Sequence, residues 1–255
     1  VLYFISPCFG FIKKGKDMTY VMSDLHGMYD KFIAMLEKID FSDSDELFII
    51  GDIIDRGEHP VDILEYVMDK PNITVLLGNH EVMARDLLSR LATEITEKNI
   101  NSVDDDFLIE LSIYKRNGGA TTMKQLRALP PVKRKKIIDF IDSLYAYEAI
   151  DIGDKTFILV HAGLGNFRKG KKISEYALYE LLELRPDYER QYFDDDSVYI
   201  ISGHTPTKLI SGKWEIYHSH NNIVIDCGAA FGGRLACLRN KEQGLVLVRI
   251  KLKGK

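Results

Sequence analysis

Five times along this 255-residue chain an apolar run stops and gives way to Asp, His, Asn and Gly: Ser23-Asp24-Leu25-His26-Gly27, Gly51-Asp52-Ile53-Ile54-Asp55-Arg56-Gly57, Gly78-Asn79-His80-Glu81, His161-Ala162-Gly163 and Gly203-His204. The β-branched or aromatic run ahead of each cluster reads as a strand, at residues 19–22, 46–50, 73–77, 157–160 and 198–201. Helical spacing recurs between the first of these. Phe32, Met35, Leu36 and Ile39 share one face; Ile63, Leu64, Val67 and Met68 share another, behind a Pro60 that suits a first helical turn. Successive strand–loop–helix units predict an α/β core whose ligands gather at the carboxyl ends of its strands.

Residues 87–148 break this rhythm and are expected to form a helical insertion or cap, cut by Asp104-Asp105-Asp106 and by Pro130-Pro131. Its charge runs, including the basic stretch from Lys133 to Lys136, read as solvated faces. Beyond the fourth strand, a helix with Leu178, Leu181 and Leu182 on one face leads to a strand-rich tail, where residues 223–225, 235–238 and 245–250 join 198–201. No internal repeat or low-complexity tract divides the chain, so residues 18–255 read as a single domain behind an N-terminal extension, 1–17. The extension begins apolar, but Ser6, Pro7, Gly10 and then Lys13, Lys14 and Lys16 interrupt it well short of the roughly 20 residues of a spanning helix. Its charge follows the apolar stretch, the reverse of a secretory signal, and Met18 is the expected natural start.

A hydrophobic content of 45% supports one sizeable core. The formal charge of -4 offers no general attraction for nucleic acid or for an anionic membrane, so any affinity for phosphate must be local. Cys8, Cys227 and Cys237 lack zinc-site spacing and suit free thiols in a reducing compartment, which predicts a cytoplasmic protein.

Taken singly, each cluster has an ordinary explanation, because Asp before a turn caps helices and a lone His is often a satisfied core residue. Together, each at the end of an apolar run, they exceed what turns require. A mixed set of oxygen and imidazole donors suits manganese, iron or zinc better than an all-oxygen calcium site or a thiolate zinc site. In this order the five segments resemble the signature of the metal-dependent serine/threonine phosphoprotein phosphatases, the calcineurin-like metallophosphoesterases, from about Met18 to the C-terminus. Bacterial and phage members, and the related symmetrical dinucleoside tetraphosphatases, carry segments similar to Asn117-Gly118-Gly119 and Asp226-Cys227-Gly228-Ala229.

The resemblance implies a β-sandwich flanked by α-helices, with the helical insertion added to it. It implies two divalent cations, manganese first: Asp24, His26 and Asp52 on one, and Asp52, Asn79, His161 and His204 on the other. Asp52 would bridge the pair, whose shared water is acidified toward neutrality. Two such ions outweigh the aspartates, so the centre attracts phosphate even on an acidic protein. The family's remaining roles fall on Arg56 as a phosphate clamp and on His80, oriented by Asp55, as general acid. Arg185, in Leu181-Leu182-Glu183-Leu184-Arg185, matches a second clamp, although Glu183 stands where the family has Trp.

The implied reaction is hydrolysis of phosphoserine or phosphothreonine in a protein or peptide. The alternative is symmetrical cleavage of diadenosine tetraphosphate, a small phosphate-bearing substrate, and a third reading is a non-catalytic phosphate-binding module. Glu81 after His80 leans toward the phosphatase. Gly203-His204-Thr205-Pro206 lacks the second histidine of Gly-His-x-His, which argues against the nuclease and phosphodiesterase branches. One further segment, Gly165-Asn166-Phe167-Arg168-Lys169-Gly170-Lys171-Lys172, nearly fits a nucleotide-binding loop. It fails at Lys172, where a hydroxyl is needed, and is expected to be a basic loop beside the site.

Overall fold

The computed structural model describes residues 18–92, 104–241 and 244–249. The extension 1–17 with Cys8, residues 93–103 of the insertion and residue 250 of the last expected strand lie outside them. Two five-stranded sheets form the centre. In the first, β1 (Thr19–Met22), β2 (Glu46–Ile50) and β3 (Ile73–Leu76) run parallel, with β9 (Ala236–Lys241) and β10 (Gly244–Arg249) antiparallel on the far side of β1. In the second, β5 (Lys155–Val160), β6 (Val198–Ser202) and β8 (Asn222–Val224) run parallel, and β4 (Tyr147–Ile152) and β7 (Tyr217–Ser219) close the two edges antiparallel.

The period of two along each strand decides what faces what. Val21, Phe48, Ile50 and Leu76 of the first sheet meet Phe157, Leu159, Ile201 and Ile223 of the second in one buried layer between the sheets. The alternate residues Tyr20, Met22, Leu47, Ile49 and Val75 face outward and are buried by helices. On the other side of the sandwich, Ile158, Val160 and Ile200 pack under Leu181 and Leu182 of α7 (Leu178–Leu182). Strands covered on both faces read as continuous apolar runs, which is why β1, β2, β3, β5 and β6 are legible in the sequence.

The helices over the first sheet include α1 (Tyr29–Lys38), α2 (Pro60–Met68) and α3 (Asn79–Ala92). They share one core cluster with α4 (Asp105–Tyr114), α5 (Ala120–Ala128) and α6 (Pro131–Asp142), through Phe107, Tyr114, Met123, Leu126, Ile137 and Ile141. Residues 104–142 therefore pack into the same core as α1 and α2. The acidic run starts α4: the Asp104 side chain accepts the Phe107 N–H, and Asp105 and Asp106 occupy the first turn, where the helix dipole favours them. A kinked turn, Lys115–Gly119, with Gly118 at a φ of 102°, joins α4 to α5. A short α8 (Thr207–Ser211) follows β6. Among the described residues, no helix is long and apolar enough to cross a membrane.

Candidate metal centre

The loops leaving the parallel strands are laced together at one rim of the sandwich. Asp24 N–H donates to Gly51 O at 3.2 Å, His26 N–H to Asp52 O at 2.9 Å and Gly57 N–H to His26 O at 2.8 Å, while Gly203 N–H reaches His161 O at 2.8 Å. So tight a lacing strains the backbone. Asp24, His26, Asp52, Asp55, Arg56 and His204 all adopt positive φ, between 42° and 69°, a region that non-glycine residues adopt uncommonly.

Asp52 lies at the centre. Its Oδ1 accepts the His80 N–H at 3.0 Å and sits 3.3 Å from His161 Nε2; its Oδ2 is 3.5 Å from His26 Nε2 and 3.9 Å from His80 Nε2. Among the described residues, Asp52 thus belongs to two donor groups, His26–Asp52–His80 and Asp52–His161–His204, with ligand atoms within 4.8 Å of one another in each. Asn79 Oδ1 joins the second, 3.0 Å from both His161 Nε2 and His204 Nδ1. By distance His80 stands with His26 and Asp52 in the first group. The Asp24 carboxylate accepts the His204 N–H, at 3.2 and 3.1 Å to its two oxygens. That approach requires Gly203, where a Cβ would lie 2.1 Å from Asp24 Oδ2.

The imidazoles show what the pocket is built to hold. A carbonyl oxygen only accepts, so each ring nitrogen beside one must carry a proton. His26 Nδ1 donates to Ile54 O at 3.0 Å, His161 Nδ1 to Ile50 O at 2.9 Å and His204 Nε2 to Glu183 O at 3.0 Å. The other nitrogen of each ring therefore turns inward toward carboxylate and carboxamide oxygens, the arrangement by which outer hydrogen bonds orient metal-binding histidines. Burial lowers both His26 and His204 to about 3, leaving neutral rings. At His161 burial acts the same way, but Asp52 and then Asp24 override it and pull the ring up to about 10. A pocket of inward lone pairs that draws a proton onto its most buried imidazole demands positive charge, and two divalent cations fit that donor set.

Beside this pocket, His80 Nδ1 donates to Asp55 Oδ2 at 2.7 Å. The Arg56 guanidinium donates to His26 Nε2 and, at 2.9 Å, to His80 Nε2, and it lies 4.8 Å over the Phe231 ring. Asn117-Gly118-Gly119 seats this arginine: Arg56 N–H donates to Gly118 O at 3.1 Å, and a Cβ at Gly118, whose φ is 102°, would stand 2.7 Å from Arg56 Cγ. Arg185 is exposed, yet close enough that its charge adds to burial and His161 in holding His204 neutral.

The residues match the family description Calcineurin-like phosphoesterase across positions 19–241. The chain belongs to that family. This phosphoesterase is 27% identical to the asymmetrical bis(5'-nucleosyl)-tetraphosphatase PrpE of Bacillus thuringiensis (strain Al Hakam), over 89% of its own length and 92% of the relative's. It is 26% identical to the protein of the same name from Geobacillus sp. (strain WCH70), over 87% and 90%. Among solved structures it shares its fold with a protein serine/threonine phosphatase from Saccharomyces cerevisiae with similarity to human phosphatase PP5. That likeness has a TM-score of 0.62 at 13% identity and covers 95% of this chain and 82% of the other. A metallophosphoesterase from Sphaerobacter thermophilus shares it with a TM-score of 0.55 at 17% identity, covering 92% and 89%.

Three parts of the site escape sequence reasoning. Glu81 acts as a backbone anchor: Oε2 accepts N–H from Asp52 (2.7 Å) and Gly78 (3.0 Å), and Oε1 from Ile53 (2.9 Å) and Ile54 (3.3 Å). Tyr114 and Thr122, from the insertion, reach the Asp55 carboxylate. In the near-miss nucleotide loop, Lys171 is committed elsewhere, 2.7 Å from Glu180 Oε2 and over the Tyr176 ring, and Lys169 pairs with Asp194 at 2.5 Å. The expected basic loop thus spends those two charges on local ion pairs.

Proposed function

We propose that this phosphoesterase cleaves a phosphoanhydride bond of a dinucleoside tetraphosphate, in the asymmetrical sense that its relatives' names carry. The observation that carries the reading is the near full-length match to those tetraphosphatases, 89% of this chain and 92% of theirs. Asp24, His26 and Asp52 would hold one divalent cation and Asp52, Asn79, His161 and His204 a second, with manganese the first candidate for such a donor set. Bound there, the pair supplies Lewis-acid chemistry, activating water and polarising the phosphoryl oxygens.

The chain's own side chains do the rest. Arg56 donates its guanidinium to phosphoryl oxygens, and Arg185 adds a second cation from the loop after α7. Asp55 holds the Nδ1–H of His80 in place, and Nε2, which accepts from Arg56 here, would carry a proton to the departing oxygen once Arg56 turns to the phosphoryl oxygens. The same groups would serve a phosphoserine or phosphothreonine monoester, which remains the competing substrate class. The test is parallel incubation of the manganese-loaded protein with diadenosine tetraphosphate and with phosphopeptides. ATP plus AMP is the expected outcome, and two ADP would mark the symmetrical cut instead. Phosphate release from peptides with the tetraphosphate left intact would overturn the proposal. Well-folded, metal-loaded protein that turns over neither of these nor p-nitrophenyl phosphate would point to a binding module.

A further inference from the structure

Asp55 can orient His80 only if something orients Asp55, and the groups that do so come from the helical insertion. Asp55 is fully buried, with its Oδ2 given to His80 Nδ1. Its Oδ1 accepts two hydroxyls, from Tyr114 at the end of α4 (2.7 Å) and from Thr122 in the first turn of α5 (2.6 Å). Thr122 Oγ1 also lies 3.0 Å from the Asp55 backbone nitrogen. An N–H can only donate and a carboxylate only accept, so the single Thr122 proton goes to Oδ1 while its lone pair takes the N–H. Tyr114 and Thr122 are themselves fully buried. Burial and the Asp55 charge raise the Tyr114 hydroxyl well above its ordinary range, which keeps it a donor.

Eight positions separate these two hydroxyls, and the kinked turn at Gly118 between them brings both to one oxygen. Gly119 makes room for this, since a Cβ there would lie 2.4 Å from the Tyr114 ring. With Oδ1 saturated from the insertion, the carboxylate has one orientation left, and its free oxygen faces His80. We propose that Tyr114 and Thr122 are positioning residues for proton delivery: they fix the Asp55 carboxylate, and through it aim His80 Nε2 at the leaving oxygen. The helical insertion is thereby part of the acid machinery. This rests on the reading of His80 as the acid.

The experiment compares p-nitrophenyl phosphate, whose leaving group needs little protonation, with phenyl phosphate, whose leaving group needs it. Both are assayed with manganese-loaded Tyr114→Phe, Thr122→Val, Thr122→Ser and His80→Asn. Tyr114→Phe and Thr122→Val are expected to lower kcat on phenyl phosphate about tenfold or more and on p-nitrophenyl phosphate far less, a fraction of what a general acid contributes. KM and metal content should not change, and Thr122→Ser should recover the activity. Equal losses on both substrates, with His80→Asn biased as expected, would overturn this proposal alone and leave His80 as the acid. An unbiased His80→Asn would overturn the acid assignment and this proposal with it, as would unaltered protein that does not turn over phenyl phosphate at all. Should Tyr114→Phe fail to fold, Thr122→Val against Thr122→Ser carries the same comparison.

Discussion

At the scale of single residues, the site concentrates opposed demands on a few side chains. His80 Nε2 lies 3.9 Å from Asp52 Oδ2, near enough to count among the donors of the first group, yet its other nitrogen is bound to Asp55 as an acid's would be. The two roles separate experimentally. We predict that His80→Asn retains two cations per chain by elemental analysis while kcat on phenyl phosphate falls on the order of a hundredfold or more; loss of one cation in step with activity would make His80 a ligand. Glu81 gives a second prediction, on stability. Replacing it with Gln sets an amide NH2 against backbone N–H groups that now meet carboxylate oxygens, which should cost about 1–3 kcal/mol in urea unfolding. No change in midpoint would mean the loop holds without it. The sequence shows that a Glu follows His80 but not that its two oxygens gather N–H groups from Gly78 and from Asp52 to Ile54, because a list of residue types does not say which backbone comes near.

Among the elements, legibility follows burial. The interior strands β1, β2, β5 and β6 are apolar on both faces and stand out in the sequence, whereas β4 and β7 do not. Both are edges of the second sheet, and β4 is half-exposed along most of its length, so its Tyr-Glu-Ala-Ile-Asp-Ile sequence carries little alternation. Its first residues fall inside the span expected to be helical. The near-miss loop was unreadable for another reason: the carboxylate that takes Lys171 lies nine residues onward, in α7, and only the fold brings the two together. The Asn117-Gly118-Gly119 turn was visible as a motif, but its purpose needed the structure. Gly118→Ala would place a methyl against Arg56 Cγ at a φ of 102°, and we predict a loss of about 1–3 kcal/mol in stability together with a raised KM for phosphate substrates. An unchanged KM would show that Arg56 does not depend on this seat.

For the molecule as a whole, the protons held by the pocket's side chains set how cation binding depends on pH. His161, raised to about 10, holds a proton at pH 8 that a cation must displace, whereas His26 and His204, at about 3, hold none. Asp24, raised to about 6 chiefly by burial, adds a second proton only below that pH. Metal binding should therefore release protons, more of them near pH 5.5 than at pH 8, with affinity strengthening as pH rises toward 10. Calorimetry in buffers of different ionisation enthalpy measures this directly, and binding with no proton release would show that His161 is not displaced.

The converging loops belong to different sheets: His26 and Asp52 follow strands of the first, His161 and His204 strands of the second, and in between lies one layer of aliphatic and aromatic side chains. A cation held by ligands from both sheets would act as a rivet between the two halves of the sandwich. Depriving the cell of metal would then do more than silence the enzyme; it would slacken the joint itself, visible as a lower melting temperature after chelation.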